Sequence, residues 1–331
     1  MTRLLLAGDV MLGRGVDEAL ASMRPSEVWG DLLPHFRRAD ARIVNLECAL
    51  TRSGREWERA PKVFHFRADP SAAAVLKAAG IDAVSLANNH VLDFEEEGLL
   101  ETLEVLDRAG VRRAGAGRDL ASARRPAPAA GGKVALLSIT DNEPLFAAGP
   151  GKPGVNFFPD GGPATLDWIG KAAAAARRAG AEVVVLASHW GPNMVARPSP
   201  EIRALARGAV ERGVDVYFGH SAHVVQGVEL HEGKPILYDT GDFVDDYAVD
   251  PEMRNDWSFL FLLDFDGSRF RGLELVPARL SYARTAAASG AEAALIRRRM
   301  AARCAELGTR ADERDGRLVV ASASDSPSPR R

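Results

Sequence analysis

Three short apolar runs between Val183 and Asp246, VVVLASHWG, VDVYFGHSAHVVQG and PILYDTGDFVDD, constrain this chain most, because each ends on residues that bind metals or move protons. Those residues are His189, His220 with His223, and Asp239 with Asp242. Val-rich runs of this length, bounded by glycine and polar residues, suit buried strands of a parallel sheet. A helical segment from Pro200 to Arg212 joins the first two runs, so the stretch reads as part of an open α/β sheet. Such sheets bind ligands at the edge where their strands end, and an imidazole at a strand's C-terminal end projects from that edge.

The same grammar recurs upstream. Leu4 to Gly8 is an apolar run ending at Asp9, Ile43 and Val44 lead to Asn45 and Glu47, and IDAVSLANNH runs into Asn88, Asn89 and His90. Val134 to Thr140 ends at Asp141 and Asn142. Helices are predicted at Asp17–Met23, Trp29–Arg38, Ser71–Ala79, about Glu96 to Ala109, and Ile169–Ala179. Leu99, Leu103 and Leu106 make one apolar face in the fourth of these, which Gly110 closes. The Gly- and Pro-rich stretch from Leu145 to Pro163 reads as a long loop able to reach over a site. Beyond Asp246, WSFLFLLDF and RGLELVPARL form an antiparallel pair around Asp266 and Gly267, and Gly290–Leu307 is helical. The expected organisation is a single domain over residues 1–315, with its motifs in 4–246, and a disordered polar tail over 316–331.

Composition excludes several classes. A net charge of -3 supplies no basic field, so nucleic acid is not expected as a partner. Cys48 and Cys304 make neither a disulfide framework nor a zinc pair. MTRLLLAGDV is too short for a signal peptide, and no window approaches the ~18 apolar residues of a membrane span. With its first strand starting at about residue 4, the chain is expected to be soluble and cytoplasmic.

Parallel packing would bring Asp9, Glu47, Asn89, His189, His220 and His223 to one edge. This mixed oxygen and nitrogen set suits Mn, Fe or Zn, and a carboxylate able to bridge two divalent metal ions makes a two-metal site reasonable. His90 is placed to protonate a leaving group or to hold an anion. Arg14, Asn45, Asn88 and Trp190 are the expected substrate contacts on the same rim. Asp239 and Asp242 fit equally as partners orienting the histidines or as loop acids.

GDVMLGR at 8–14, NLE at 45–47, ANNHVLDF at 87–94, HWG at 189–191, GHSAHVVQ at 219–226 and YDTGDF at 238–243, in this order, resemble the CapA-type poly-γ-glutamate capsule biosynthesis proteins. These are a branch of the calcineurin-like metallophosphoesterase superfamily. The resemblance implies a four-layer α/β/β/α sandwich of the metallophosphoesterase type with a two-metal centre at the strand ends. It implies Asp9 and His223 as ligands of a first metal, Glu47 as the bridging carboxylate, and Asn89, His189 and His220 as ligands of a second. His90 then resembles the catalytic histidine.

The chain departs from the superfamily at Met11, where a histidine is usual two residues after the first aspartate, and from CapA-like chains at Ser221 and Ala222, Asn193 and Met194, Glu95, and Asp242. The expectation is a metal-dependent hydrolase acting on a small anionic or γ-glutamyl-type substrate, a phosphoester foremost and an amide as a variant. The alternative is a non-catalytic accessory protein in capsule biosynthesis.

Overall fold

Along the strand Thr2–Val10 in the computed structural model, which describes residues 1–322, Leu4 and Leu6 enter one core while Leu5 and Ala7 enter another. Strand side chains alternate between faces, so an unbroken apolar run means both faces are covered. Leu4, Leu6 and Ile43 share the first core with Leu136, Val185 and Phe218 of a second sheet. Leu5, Ala7 and Val44 share the second with Leu76, Leu99, Leu103 and Leu106 from the helices Ala73–Ala79 and Glu95–Ala109. On the far side, Leu137, Val184, Leu186 and Tyr217 pack with Ile169 and Ala173 of Pro163–Arg178 and with Leu205 and Ala209 of Pro200–Glu211. Helices, sheet, sheet and helices thus form the expected four-layer α/β/β/α sandwich.

The first sheet centres on Thr2–Val10, with Ala41–Leu46, Ala83–Ser85 and Arg112–Ala114 following in parallel on one side. On the other side Trp257–Asp266 and Arg269–Ser281 are antiparallel, as the turn at Asp266 and Gly267 predicts. The second sheet runs parallel through Val134–Thr140, Val183–His189, Val216–His220 and Lys234–Leu237. Register places His189 opposite both Thr140 and His220, so these strands end together.

Two expectations need correction. The helix drawn over Trp29–Arg38 is a 3₁₀ segment, Pro25–Leu32, followed by a short helix, Leu33–Arg37. Gly30 breaks it with a φ of 51°, and a Cβ there would lie 2.5 Å from the Thr285 carbonyl oxygen. The tail boundary after residue 315 cuts a hairpin, Asp312–Arg314 with Arg317–Ala321, whose second strand pairs with Gly272–Leu275 of the first sheet. The apolar residues Leu318 and Val320 in that strand are buried, which the polar composition further on conceals. The rest of the expected tail, residues 323–331, lies outside the described residues. Among the described residues no helix is long and apolar enough to cross a membrane.

Candidate metal centre

The two sheets meet closely where the chain crosses between them. From Lys234–Leu237 in the second sheet it passes through Tyr238, Asp239, Thr240 and Gly241 to Asp242–Val244, beside Thr2–Val10 in the first. The crossing presses on two glycines that precede site residues. A Cβ at Gly8 would sit 1.8 Å from the Gly241 carbonyl oxygen, and one at Gly219 would sit 1.9 Å from that of Tyr238. Backbone hydrogen bonds fix both approaches, Asp9 N–H to Gly241 O at 2.9 Å and Thr240 N–H to Gly219 O at 2.9 Å. Asp239 clamps the turn by accepting from Ala222 N–H at 2.7 Å and Gly241 N–H at 2.8 Å.

This packing gathers two overlapping groups, Asp9 with His189 and His220, and Asp9 with His223 and Asp242; within each, the ligand atoms lie within 4.8 Å of one another. Glu47 stands between them, with Oε1 3.9 Å from His189 Nε2 and 4.0 Å from His223 Nε2. Every one of these residues is buried. Both Glu47 oxygens, Asp9 Oδ2, Asp242 Oδ2, His189 Nδ1, both His220 nitrogens and Asn89 Oδ1 have no hydrogen-bond partner in the protein. Buried lone pairs left bare are costly, and their concentration on the two clustered groups fits divalent cations, for which carboxylates and imidazoles are the right donors.

The protein's own electrostatics are strained in the same way. Burial, then the charge of Asp9, raises the Glu47 carboxyl well above its ordinary range. Burial opposes charge on Asp9 too, but the nearby imidazoles of His223, His220 and His189 lower its pKa. Burial pulls His189 well down and His220 to about 4. His223 is raised well above the ordinary value despite burial, because Asp242 and Glu47 face it. Its Nδ1 lies 2.8 Å from Asp242 Oδ1 and 3.5 Å from Asp9 Oδ2.

Around this cluster the amides form a frame. Asn45 Nδ2 donates to Asp9 Oδ1 at 2.8 Å, and Asn88 Nδ2 donates to Asn45 Oδ1 at 3.1 Å and to Leu46 O at 2.8 Å. Asn88 Oδ1 accepts from His90 N–H at 3.0 Å and Val91 N–H at 3.1 Å. Both side chains are fully buried and bonded within the protein. Asn45 and Asn88, expected as substrate contacts, thus hold Asp9 and the His90 turn in place. Trp190, expected as another substrate contact, follows His189 and packs in the core under the outer helices. Arg14 is 40% exposed, with Nε 3.3 Å from Asp246 and its guanidinium over Phe64 and over Phe66, the ring that stacks on His90.

His90 faces the cluster from the first sheet, its Nε2 3.9 Å from Glu47 Oε1. Phe66 stacks on the ring at 3.9 Å, and Nδ1 lies 2.6 Å from Asp93 Oδ2. Burial, then Lys62, keeps the imidazole well below its ordinary pKa, and burial raises Asp93 to about 8. Lys62 approaches Asp93 Oδ1 at 3.4 Å while donating to Asn89 O at 2.7 Å.

The model of the family described as bacterial capsule synthesis protein PGA_cap matches residues 3–247. The chain belongs to this PGA_cap family. A probable polyglutamine synthesis accessory protein of Mycobacterium tuberculosis is 31% identical over 89% of this chain and 89% of its own length. The capsule biosynthesis protein CapA of Bacillus anthracis is 30% identical over 73% of this chain and 59% of its own. The PGA biosynthesis protein CapA of Bacillus subtilis is 30% identical over 72% of this chain and 62% of its own. The CapA-type resemblance read from the motifs is thus borne out.

In this PGA_cap chain the departure at Met11 has a plain structural outcome. The thioether accepts from Gly13 N–H at 3.0 Å, and the side chain packs in the core beneath the helices. The carboxylate beside Asp9 and His223 is that of Asp242, for which the sequence left open a role in orienting a histidine or as a loop acid. Asp93 and Tyr247 were missed. Asp93 carried a signal, three residues after His90 in the same turn. Tyr247, whose buried hydroxyl has no partner and whose ring meets His223 edge-on at 5.6 Å, carried none.

Proposed function

We propose that this chain is a metal-dependent hydrolase that holds two divalent cations, Mn, Fe or Zn, and cleaves an anionic ester, a phosphoester foremost. The observation that carries this reading is the sharing of Asp9 by two three-residue groups, with bare buried lone pairs on both sides. His189, His220 and Asn89 would hold one cation and His223 with Asp242 the other, with Asp9 and Glu47 between them. When bound, such cations lower the pKa of a water towards neutrality and offset charge on a substrate oxygen.

The chain's own groups do the rest. Asp242 orients His223 through Nδ1, and Asn45 fixes Asp9 by taking up one of its oxygens. Asp93 holds His90 so that Nε2 faces the cluster, where it can pass a proton to or from the reacting oxygen. The stacked Phe66 ring keeps water from the other side of that imidazole. Arg14, half-exposed beside Asp246, would be the cation that meets an anionic group of the substrate. The relatives' names attach them to capsule, PGA and polyglutamine synthesis, which supports a γ-glutamyl amide as the variant substrate.

A second reading, a non-catalytic accessory protein, draws support from the name of the mycobacterial relative and from the burial of Met11. One experiment separates the two. Metal content is measured by elemental analysis after Mn or Zn reconstitution, in wild type and His220→Ala, alongside hydrolysis of bis-p-nitrophenyl phosphate and γ-glutamyl-p-nitroanilide. The hydrolase reading expects close to two equivalents and metal-dependent turnover, both falling in the variant. Bound metal with no turnover of either compound favours the accessory reading, and absence of bound metal overturns the two-cation centre.

A further inference from the structure

The two sheets also approach each other at their outer edges, where Arg112–Ala114 ends the first and Ala127–Ala129 ends the second. Ala114 and Ala127 share the core between the sheets, and a groove of about 340 Å³ opens over this seam. Its walls carry Arg112, Arg113, Arg118 and Arg125 against a single carboxylate, Asp107. Arg113 pairs with Asp107, and Arg118 reaches Glu104 at 2.9 Å, while among the described residues neither Arg112 nor Arg125 has an ion-pair partner. The excess of positive charge lies on a chain whose net charge is -3, so it is a local arrangement and not a property of the whole surface.

Sheet edges are commonly guarded by charged side chains, and a guard needs only exposure. Here the charges line a concavity and converge from both edges. Pro128 in the second edge strand lacks an N–H, so that strand is a poor template for another strand and the groove's recognition falls to side chains. A guanidinium fork takes a carboxylate bidentately, and unpaired forks along a seam match anions repeated along an extended chain. No aromatic side chain lines the groove, so it offers no platform for stacking nucleic-acid bases.

We propose that this groove binds an extended carboxylate-rich polypeptide-like chain through Arg112 and Arg125. The site is separate from the metal centre and does not depend on its reactivity. The test is fluorescence anisotropy with a fluorescein-labelled oligoglutamate, on metal-free and metal-loaded protein, at low and physiological salt. Wild type is expected to bind in both metal states, and more weakly at higher salt. The pair Arg112→Glu with Arg125→Glu should weaken binding at least tenfold. The pair Arg178→Glu with Arg298→Glu, the same charge change at exposed helix positions, should alter it less than twofold. The pair Arg112→Lys with Arg125→Lys keeps the charge but loses the forks, and should weaken binding severalfold. Equal losses in the two Glu pairs, an oligonucleotide of equal charge binding as tightly, or no binding at low salt would each overturn the proposal.

Discussion

Alanine in place of Gly219 tests whether the crossing chain really sets the geometry of the metal centre. The added Cβ would lie 1.9 Å from the Tyr238 carbonyl oxygen and 3.0 Å from that of Leu237, so the backbone must retreat by roughly 1 Å. Overpacking of this kind costs about 1–3 kcal/mol. Loosening the Thr240 N–H to Gly219 O bond adds about 1 kcal/mol. A total near ~3 kcal/mol, on a chain this long, lowers Tm by about 4 °C. The retreat also carries His220 away from Asp9, so reconstituted metal should fall by close to one equivalent. Gly170→Ala is the matched control, since its Cβ would meet the Arg212 side chain no closer than an ordinary 3.5 Å, inside the helix Pro163–Arg178. There alanine stabilises by about 0.5–1 kcal/mol and Tm should rise about 1 °C. Calorimetry with elemental analysis reads both. A Gly219→Ala protein with wild-type Tm and metal content would refute the claim that contact at the crossing positions His220.

Two further outcomes follow from the buried charges. His220 has its folded-state pKa depressed by burial to about 4, so its stabilising contribution in metal-free protein is complete above the ordinary 6.5 and is lost as pH falls towards 4. From pH 8 to pH 5 the loss is about 2 kcal/mol by urea unfolding. His220→Phe should lack that component of the pH dependence, and an identical profile in the variant would disprove it. Asp215, fully buried, accepts from Val184 N–H at 2.7 Å, pairs with Arg177 and lies 3.3 Å from Lys234. Asp215→Ala should cost about 2–3 kcal/mol in the same assay, with Asp215→Asn recovering part through its remaining acceptor. Equal stability of Asp215→Ala and wild type would mean that the hub is decorative.

What the sequence made legible were residues that end an apolar run, because a strand buried on both faces must deliver its next polar group to the edge. Asp9, Glu47, His189 and His220 come together for that reason. Facing was harder to read. His189 and Trp190 are adjacent and so point to opposite faces, and only the layer beyond each face decides which one meets the site. Asn45 and Asn88 read as substrate contacts from their place at the strand ends, yet both are fully buried and hydrogen-bonded inside the protein. Asp242 comes beside Asp9 through a parallel pairing across 233 positions, which no local pattern announces.

The crossing at Tyr238–Gly241 carries a consequence for regulation. Asp9, Glu47 and Asp242 belong to the first sheet or its edge, whereas His189 and His220 belong to the second. A cation held by both groups would act as a rivet between two halves of the molecule, and its affinity would become a gauge of their separation. By thermodynamic reciprocity, anything that prises the sheets apart loosens the rivet, and occupancy of the rivet resists whatever pulls on either half.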